Sequence, residues 1–158
     1  MSEKQYTVSS AVVEELISAG VEVVFGIVSV HNMPIYNEML NSGKIRMLTA
    51  RGESGAVNMA DAYARVTGKL GVVLTSTGTG AGNAAGSLAE TWNAGTPLLH
   101  ITGEIDSNYI GTDQRYIHEA KDQLKMMEGV SKVAYQLKRP KSITPFMRQA
   151  IKEAQTVP

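Results

Sequence analysis

The sequence predicts a three-layer α/β/α domain with a mainly parallel sheet, and three observations support that fold class. First, four short apolar runs look like buried strands, at 21–27, 45–48, 70–75 and 97–102. Second, segments whose apolar residues recur at helical spacing flank these runs, at 8–19, 34–40, 54–67 and 84–93. Third, glycines stand where several of these helices should end. Strands that alternate with helices in this way form parallel sheets.

The C-terminal part of the chain predicts a further strand at 133–137 and an amphipathic helix at 143–154. The stretch 103–122 between them and the fourth strand is polar and long, which is typical of functional loops. A doubly wound domain should have one more strand after the last helix. We therefore expect residues 1–158 to be a single domain that lacks its last strand and is a fragment of a longer chain.

The charge and composition exclude several classes of partner. Lys plus Arg and Asp plus Glu both number 15, which argues against nucleic acid or an anionic membrane as the main partner. The chain has no cysteine, so a disulfide, a thiolate nucleophile and a cysteine metal site are excluded. Its first residues are polar and do not resemble a signal peptide. We expect a cytoplasmic enzyme.

Glu53 stands at the junction between the strand at 45–48 and the helix that follows it. Open α/β sheets bind their ligands at such junctions. The alternative is a glutamate that only complements the dipole of the helix N-terminus.

A glycine-rich turn follows the strand at 70–75 and reads TSTGTGAGN from Thr75 to Asn83. Such a turn lets the backbone approach a ligand closely, although it can also serve only tight packing. It is not a P-loop, because no Gly-Lys-Ser/Thr follows, and Asn83 occupies the third glycine's place in a dinucleotide fingerprint. Small residues at helical spacing, at 56, 60 and 64 and at 82, 86 and 89, suggest either a dimer contact or close internal packing.

The three histidines, His31, His100 and His118, lack the spacing of metal ligands, so we predict no metal site on this chain. His100 lies in an apolar run and is predicted to be a core histidine with a hydrogen-bond partner. His118 follows the long polar loop, where it is either exposed or within reach of a site.

Taken together, these motifs make residues 7–154 resemble the N-terminal, pyrimidine-binding (PYR) domain of thiamine diphosphate enzymes of the acetolactate synthase and benzoylformate decarboxylase type. The strongest match is RGESGA…MADAYARVTGK at 51–69, where the family shows R-H-E-x-x-A…A-D-G-Y-A-R-x-T-G-K. Supporting matches are GV..VFG at 20–26, GxGxxN at 78–83 and IGTD at 110–113. The resemblance implies a Rossmann-like fold.

The resemblance also assigns roles to individual residues. Glu53 is implied to be catalytic, sharing a proton with N1′ of the aminopyrimidine of thiamine diphosphate, as a carboxyl group can. Seven further residues are implied to line the cofactor site: Val28, Ser29, Ser76, Thr77, Gly78, Gly80 and Asn83. Val30 and His118 occupy positions that contact substrate in some family members.

The implied function is the pyrimidine-binding half of an enzyme that acts on 2-keto acids, by decarboxylation with or without carboligation. Gly52 replaces the family's histidine, and Ser76 stands where benzoylformate decarboxylases have one, so the reaction type stays open. Mg²⁺ and the diphosphate are expected on a separate domain with a G-D-G motif, which this chain lacks. That domain normally comes from a partner subunit of a homodimer or homotetramer, so this chain alone should be inactive.

Two alternative functions stay open from the sequence. One is the small subunit of a split 2-keto acid decarboxylase. The other is a non-catalytic α/β module that binds a nucleotide at the glycine-rich turn, which would leave Glu53 without a role.

Overall fold

A computed structural model describes residues 6–156, which form one parallel sheet flanked by helices. The strands are β1 (Val23–Gly26), β2 (Arg46–Thr49), β3 (Gly71–Thr75) and β4 (Leu98–Thr102). The α-helices are α1 (Val8–Ser18), α2 (Met33–Ser42), α3 (Glu53–Thr67), α4 (Thr79–Asn93), α5 (Gln123–Glu128) and α6 (Ile143–Gln155), with a 3₁₀ turn at Pro140–Ser142. Within 6–156, no helix has the length and apolar character needed to cross a membrane.

The four strands are parallel and lie in the order β2-β1-β3-β4, which confirms the predicted α/β class with a parallel sheet. The connection from β2 to β3 passes over β1, so the winding reverses between β1 and β3. Loops that leave neighbouring strands on either side of such a reversal diverge and open a crevice at the carboxyl edge of the sheet.

Each face of the sheet carries its own apolar core, since side chains alternate along a strand. Val24 and Leu74 pack in the cluster that includes residues of α1, α2 and α6. Phe25 and Val73 pack in the cluster that includes residues of α3, α4 and α5. The structure therefore has the three layers that the sequence predicts.

The small residues of α3 serve internal packing. Ala56 and Ala60 are fully buried, and a Cβ added to Gly71 of β3 would lie 2.5 Å from the carbonyl oxygen of Ala60. The helix can therefore approach β3 closely only because both surfaces are small. The second set of small residues differs, because Gly82 and Gly86 are exposed on α4.

Helix α4 begins at Thr79, five residues before the start at residue 84 that the sequence predicts. Because glycine has a low helix propensity, the glycines at 80 and 82 predict a turn instead of a helix. Packing outweighs this cost, because Ala81 and Ala84 are fully buried against the α3 side of the sheet.

The predicted strand at 133–137 is wrong, because these residues have irregular backbone in the structure. A groove of about 360 Å³ lies between this segment and the free edge of β4. Residues of α4, α5 and α6 complete its wall. A strand needs a neighbouring strand whose backbone N–H and C=O groups pair with its own. The groove separates residues 133–137 from β4, so β4 cannot be that neighbour.

His100, on β4, makes folding stability depend on pH. Its Nε2 lies 2.8 Å from Thr75 Oγ1, and burial lowers its pKa from 6.5 to about 4. The unfolded chain therefore binds a proton that the folded chain rejects, and stability falls as the pH drops below about 6.5.

We expect His100 to cost about 2 kcal/mol of unfolding free energy between about pH 7 and pH 5. Urea denaturation of wild type and His100→Gln at both pH values measures it, because the difference between the two proteins removes the contribution of other groups. An equal loss of stability in both proteins would contradict the assignment.

Candidate functional site

The sequence-predicted site residues all lie on loops or helix starts at the carboxyl edge of the sheet. Val28, Ser29 and Val30 follow β1, and Glu53 follows β2. The turn that contains Ser76 to Gly80 follows β3, and His118 lies in the long loop after β4. This is the edge at which open parallel sheets bind ligands.

Glu53 is the first residue of α3 and is half-buried. Asn83 Nδ2 donates a hydrogen bond of 3.2 Å to Glu53 Oε2, so the carboxylate is tied to α4. Ser54 Oγ donates to the carbonyl oxygen of Asn83, which makes a second link between the two helices. The N-terminus of α3 favours a negative charge at this position.

Gly80 makes room for the Glu53 carboxylate. A Cβ at position 80 would lie 2.8 Å from Ser76 Cβ and 3.1 Å from Glu53 Oε1. Ser76 is buried, and its Oγ has no hydrogen-bond partner among the described residues. The structure thus brings together Glu53, Ser76, Gly80 and Asn83, four of the predicted site residues.

The glycine-rich turn is held by Gln123, the first residue of α5. Gln123 Oε1 accepts hydrogen bonds from Thr77 Oγ1 at 2.9 Å and from the Gly78 amide at 2.5 Å. Its Nε2 donates to the carbonyl oxygen of Gly103 at 2.9 Å, just after β4. Sequence reasoning missed Gln123, because nothing in the sequence relates it to a turn 45 residues away.

Gly78 requires glycine for two reasons. Its φ is +52°, in the left-handed region that side chains disfavour. A Cβ there would also overlap the carbonyl oxygen of His118, so the loop after β4 packs directly on the turn.

The loop after β1 is organised by Asn32, which is fully buried. Asn32 Oδ1 accepts from the Ser29 amide at 2.7 Å, and its Nδ2 donates to the carbonyl oxygen of Ile27 at 3.0 Å. Val28 and Val30 point their apolar surface outward, with exposed fractions of 48% and 67%. Among the described residues, no hydrogen bond links this loop to Glu53, so the structure does not join these two predicted parts directly. An Asn shortly before a Pro at a helix start was the only sequence signal for Asn32.

His118 is exposed, and its Nδ1 lies 3.0 Å from Thr79 Oγ1 at the start of α4. Its ring also approaches that of His31, with the two centroids 5.5 Å apart. His118 is therefore exposed, which is one of the two alternatives that the sequence predicts, and it lies beside the glycine-rich turn; its contact with a substrate stays a prediction. His31 is not among the site residues that the sequence predicts.

No group of three or more acidic or histidine side chains in residues 6–156 is arranged to hold a metal ion. The Glu53 carboxylate, the Asn83 amide and the buried Ser76 hydroxyl offer hydrogen-bond acceptors and donors beside Gly80. A carboxyl group can also exchange a proton with a bound ligand.

Relatives of the chain are much longer than the chain itself. It is 38% identical over 110 residues to an acetolactate synthase of Mycobacterium bovis, covering 70% of this chain and 18% of that protein. It is 34% identical over 148 residues to a probable 2-ketoarginine decarboxylase AruI of Pseudomonas aeruginosa, covering 94% and 26%. It is 34% identical over 153 residues to an acetolactate synthase large subunit of Haemophilus influenzae, covering 97% and 26%. The chain thus spans about a fifth to a quarter of the length of these relatives.

A family model described as thiamine pyrophosphate enzyme, N-terminal TPP binding domain, matches residues 6–126. The match includes β1 to β4, Glu53 and the glycine-rich turn, which are the parts that build the carboxyl edge of the sheet. The chain therefore belongs to the family of N-terminal domains of thiamine pyrophosphate enzymes.

Proposed function

We propose that this chain is the pyrimidine-binding half of an enzyme that uses thiamine diphosphate to act on 2-keto acids. The observation that carries the proposal is the Glu53 carboxylate, held beside Ser76 and Gly80 by Asn83 at the carboxyl edge of the sheet. Family membership implies the cofactor, and the position of Glu53 gives a reason for it.

The residues present fit the aminopyrimidine ring. Ser29 Oγ and Ser76 Oγ are buried without partners among the described residues, and such atoms in a native fold usually bind a ligand or water. Gly80 leaves an open surface next to Glu53 Oε1. Glu53 would hold a proton at ring atom N1′, and Asn83 would orient its carboxylate. When bound, the cofactor supplies the nucleophilic carbon and the electron sink for loss of CO₂.

We propose a 2-keto acid as substrate because the names of two relatives, acetolactate synthase and probable 2-ketoarginine decarboxylase, refer to that chemistry. Val30 and His118 lie on loops that border the site and are the candidates for substrate contact. Identification of the products distinguishes decarboxylation from carboligation.

We further propose that the natural protein is longer and that its remaining part completes the site. The chain covers only 18–26% of the length of the relatives that it matches, which supports a longer protein. Mg²⁺ and the diphosphate would be bound by another domain, supplied by a partner subunit of a homodimer or homotetramer. The small subunit of a split decarboxylase is the second candidate, and a frame that closes directly after Pro158 would favour it. Family membership favours both over a nucleotide-binding module. The cytoplasmic location stays a prediction.

The test is an assay of the complete gene product with thiamine diphosphate, Mg²⁺ and a panel of 2-keto acids. We expect cofactor-dependent release of CO₂ from at least one of them, with the products identified by mass spectrometry. If no 2-keto acid is consumed although the protein binds the cofactor, the proposed substrate class is wrong.

The 158-residue chain by itself is expected to bind thiamine diphosphate negligibly and to be inactive. It offers contacts only to the pyrimidine end, whereas the diphosphate carries most of the cofactor's charge. Isothermal titration calorimetry with the cofactor and Mg²⁺ measures the affinity, and tight binding would place the diphosphate site on this chain.

Gly80→Ala tests the fit around Glu53. The added methyl group would press on Ser76 Cβ and the Glu53 carboxylate, so we expect a loss of about 1–3 kcal/mol in stability. We also expect about 10²-fold lower turnover of the complete protein, because displacing a catalytic group by about 1 Å costs that much.

Gly82→Ala is the matched control on the same helix. Its Cβ would meet only Met126 Sδ at 3.8 Å, an ordinary contact, so stability and turnover should be unchanged or slightly improved. Equal effects of the two substitutions would show that Gly80 has no special relation to Glu53.

A further inference from the structure

Two histidines from different loops meet beside the candidate site. His31 lies in the loop after β1 and His118 in the loop after β4, and their rings make an edge contact at 65°. Both positions are fixed by close packing. Gly103 faces His31, because a Cβ added to it would lie 2.8 Å from His31 Cβ, and Gly78 packs on the His118 carbonyl.

The pair carries unused hydrogen-bonding capacity. His31 Nδ1 is buried and has no hydrogen-bond partner among residues 6–156, as is also true of Ser29 Oγ on the same loop. A buried polar atom in a native fold normally has a partner, which can be a ligand or a water molecule. His118 adopts a φ of +62°, and such strain in a residue other than glycine is concentrated at functional sites. These observations indicate a polar ligand at this place.

The charges around His31 decide what kind of ligand fits. Burial and the neighbouring His118 lower the pKa of His31, while Glu104 acts in the opposite direction. A negative group placed between the rings would favour the protonated form of His31. The Glu104 carboxylate repels anions, so it favours a ligand with one negative charge over phosphate or diphosphate.

We propose that His31 and His118 together bind the carboxylate of the 2-keto acid. One protonated ring would supply the charge, and the Ser29 hydroxyl lies on the same loop as a further donor. This proposal rests on the proposed function and adds the residues that recognise the substrate. His31 is then a binding residue in addition to Val30 and His118.

The experiment is an NMR pH titration of the histidine rings in the complete protein without thiamine diphosphate, so that pyruvate is not consumed. His100 is the internal control, because its pKa of about 4 keeps it neutral between about pH 5.5 and pH 8. Pyruvate is the probe, with sodium chloride at equal ionic strength and inorganic phosphate as the comparison anions. The spectra of His31→Gln, His100→Gln and His118→Gln assign the three ring signals.

Pyruvate at about ten times its dissociation constant should raise the pKa of His31 by about one, since it binds only the form in which that ring is protonated, and it should also shift the ring signals of His118. Chloride and phosphate should have smaller effects, and His118→Gln should abolish the response of His31 to pyruvate. A response of His118 alone, a response of neither ring, or an equal response to phosphate would overturn the proposal. In the complete protein, His31→Gln should raise KM by a factor that is about ten times larger than the factor by which it lowers kcat.

The result separates this proposal from the proposed function. Pyruvate-dependent shifts without any turnover of 2-keto acids by the complete protein would overturn the proposed function alone. Turnover without those shifts would overturn the histidine pair alone. Glu53→Gln should leave the shifts intact, because Glu53 is not among the groups that affect His31.

Discussion

Glu53→Gln is expected to reduce kcat of the complete protein by about 10²- to 10⁴-fold, the usual value of a catalytic proton-transfer group. Glutamine keeps the size of the side chain and can still accept the hydrogen bond from Asn83. It cannot exchange a proton with the aminopyrimidine ring. Steady-state assay of CO₂ release with saturating thiamine diphosphate and Mg²⁺ measures the effect.

Glu90→Gln is the control, since Glu90 is an exposed glutamate on α4 that the site does not use. It should retain full activity. Thermal unfolding of both variants should match the wild type, which separates loss of chemistry from loss of structure. If Glu53→Gln retained more than about a tenth of wild-type kcat, the proton-transfer role of Glu53 would be wrong.

Gly26→Ala is expected to destabilise the chain by about 3 kcal/mol or more. A Cβ at the end of β1 would overlap the carbonyl oxygen of Leu74 and the hydroxyl of Tyr36. Tyr36 donates to that same carbonyl at 3.2 Å, so no space is available on either side. The added methyl group must push β1 away from β3, where the crevice opens.

Urea denaturation followed by circular dichroism measures this loss. Gly55→Ala on α3 is the control, because its Cβ would meet nothing within 4 Å and alanine favours a helix. We expect the control to be as stable as wild type or more so. A Gly26→Ala variant with wild-type stability would contradict the packing described between β1, α2 and β3.

The sequence predicted the first four strands and the junction at Glu53 because local patterns encode them. The run at 70–75 is apolar on both faces, and β3 is fully buried, so pattern and environment agree. The glycine after residue 67 was a reliable sign of the end of α3, since Gly68 has a φ of +69°. The position of Glu53 at a strand-to-helix junction could be predicted for the same reason, because the sequence marks the ends of both the strand and the helix.

What could not be predicted depends on contacts between distant parts of the chain. The strand at 133–137 has a strand-like composition, but composition does not tell whether a neighbouring strand is present to pair with it. The contact of His31 with His118 joins residues 87 positions apart, and Gln123 reaches the glycine-rich turn across 45. Only the folded arrangement of the loops reveals these contacts.

The helix start at Thr79 could not be predicted for a different reason, because burial outweighs the local backbone preference there. Glycine-rich sequence disfavours a helix, yet the same small residues allow α4 to lie close to α3 and the sheet. The result places Gly80 in the first turn of a helix, directly against Glu53. The sequence therefore placed the glycine-rich stretch correctly after β3 but predicted a turn where the backbone from Thr79 onward is helical.

The central claim is that Glu53 contacts the aminopyrimidine of thiamine diphosphate. A crystal structure of the complete protein with the cofactor and Mg²⁺ tests it most directly, through the distance from the Glu53 carboxylate to ring atom N1′. We predict a hydrogen bond of about 2.6–3.2 Å, with Gly80 beneath the carboxylate and Asn83 still bound to it. An aminopyrimidine whose N1′ is bound by another group, or that lies away from the turn after β3, would contradict the account.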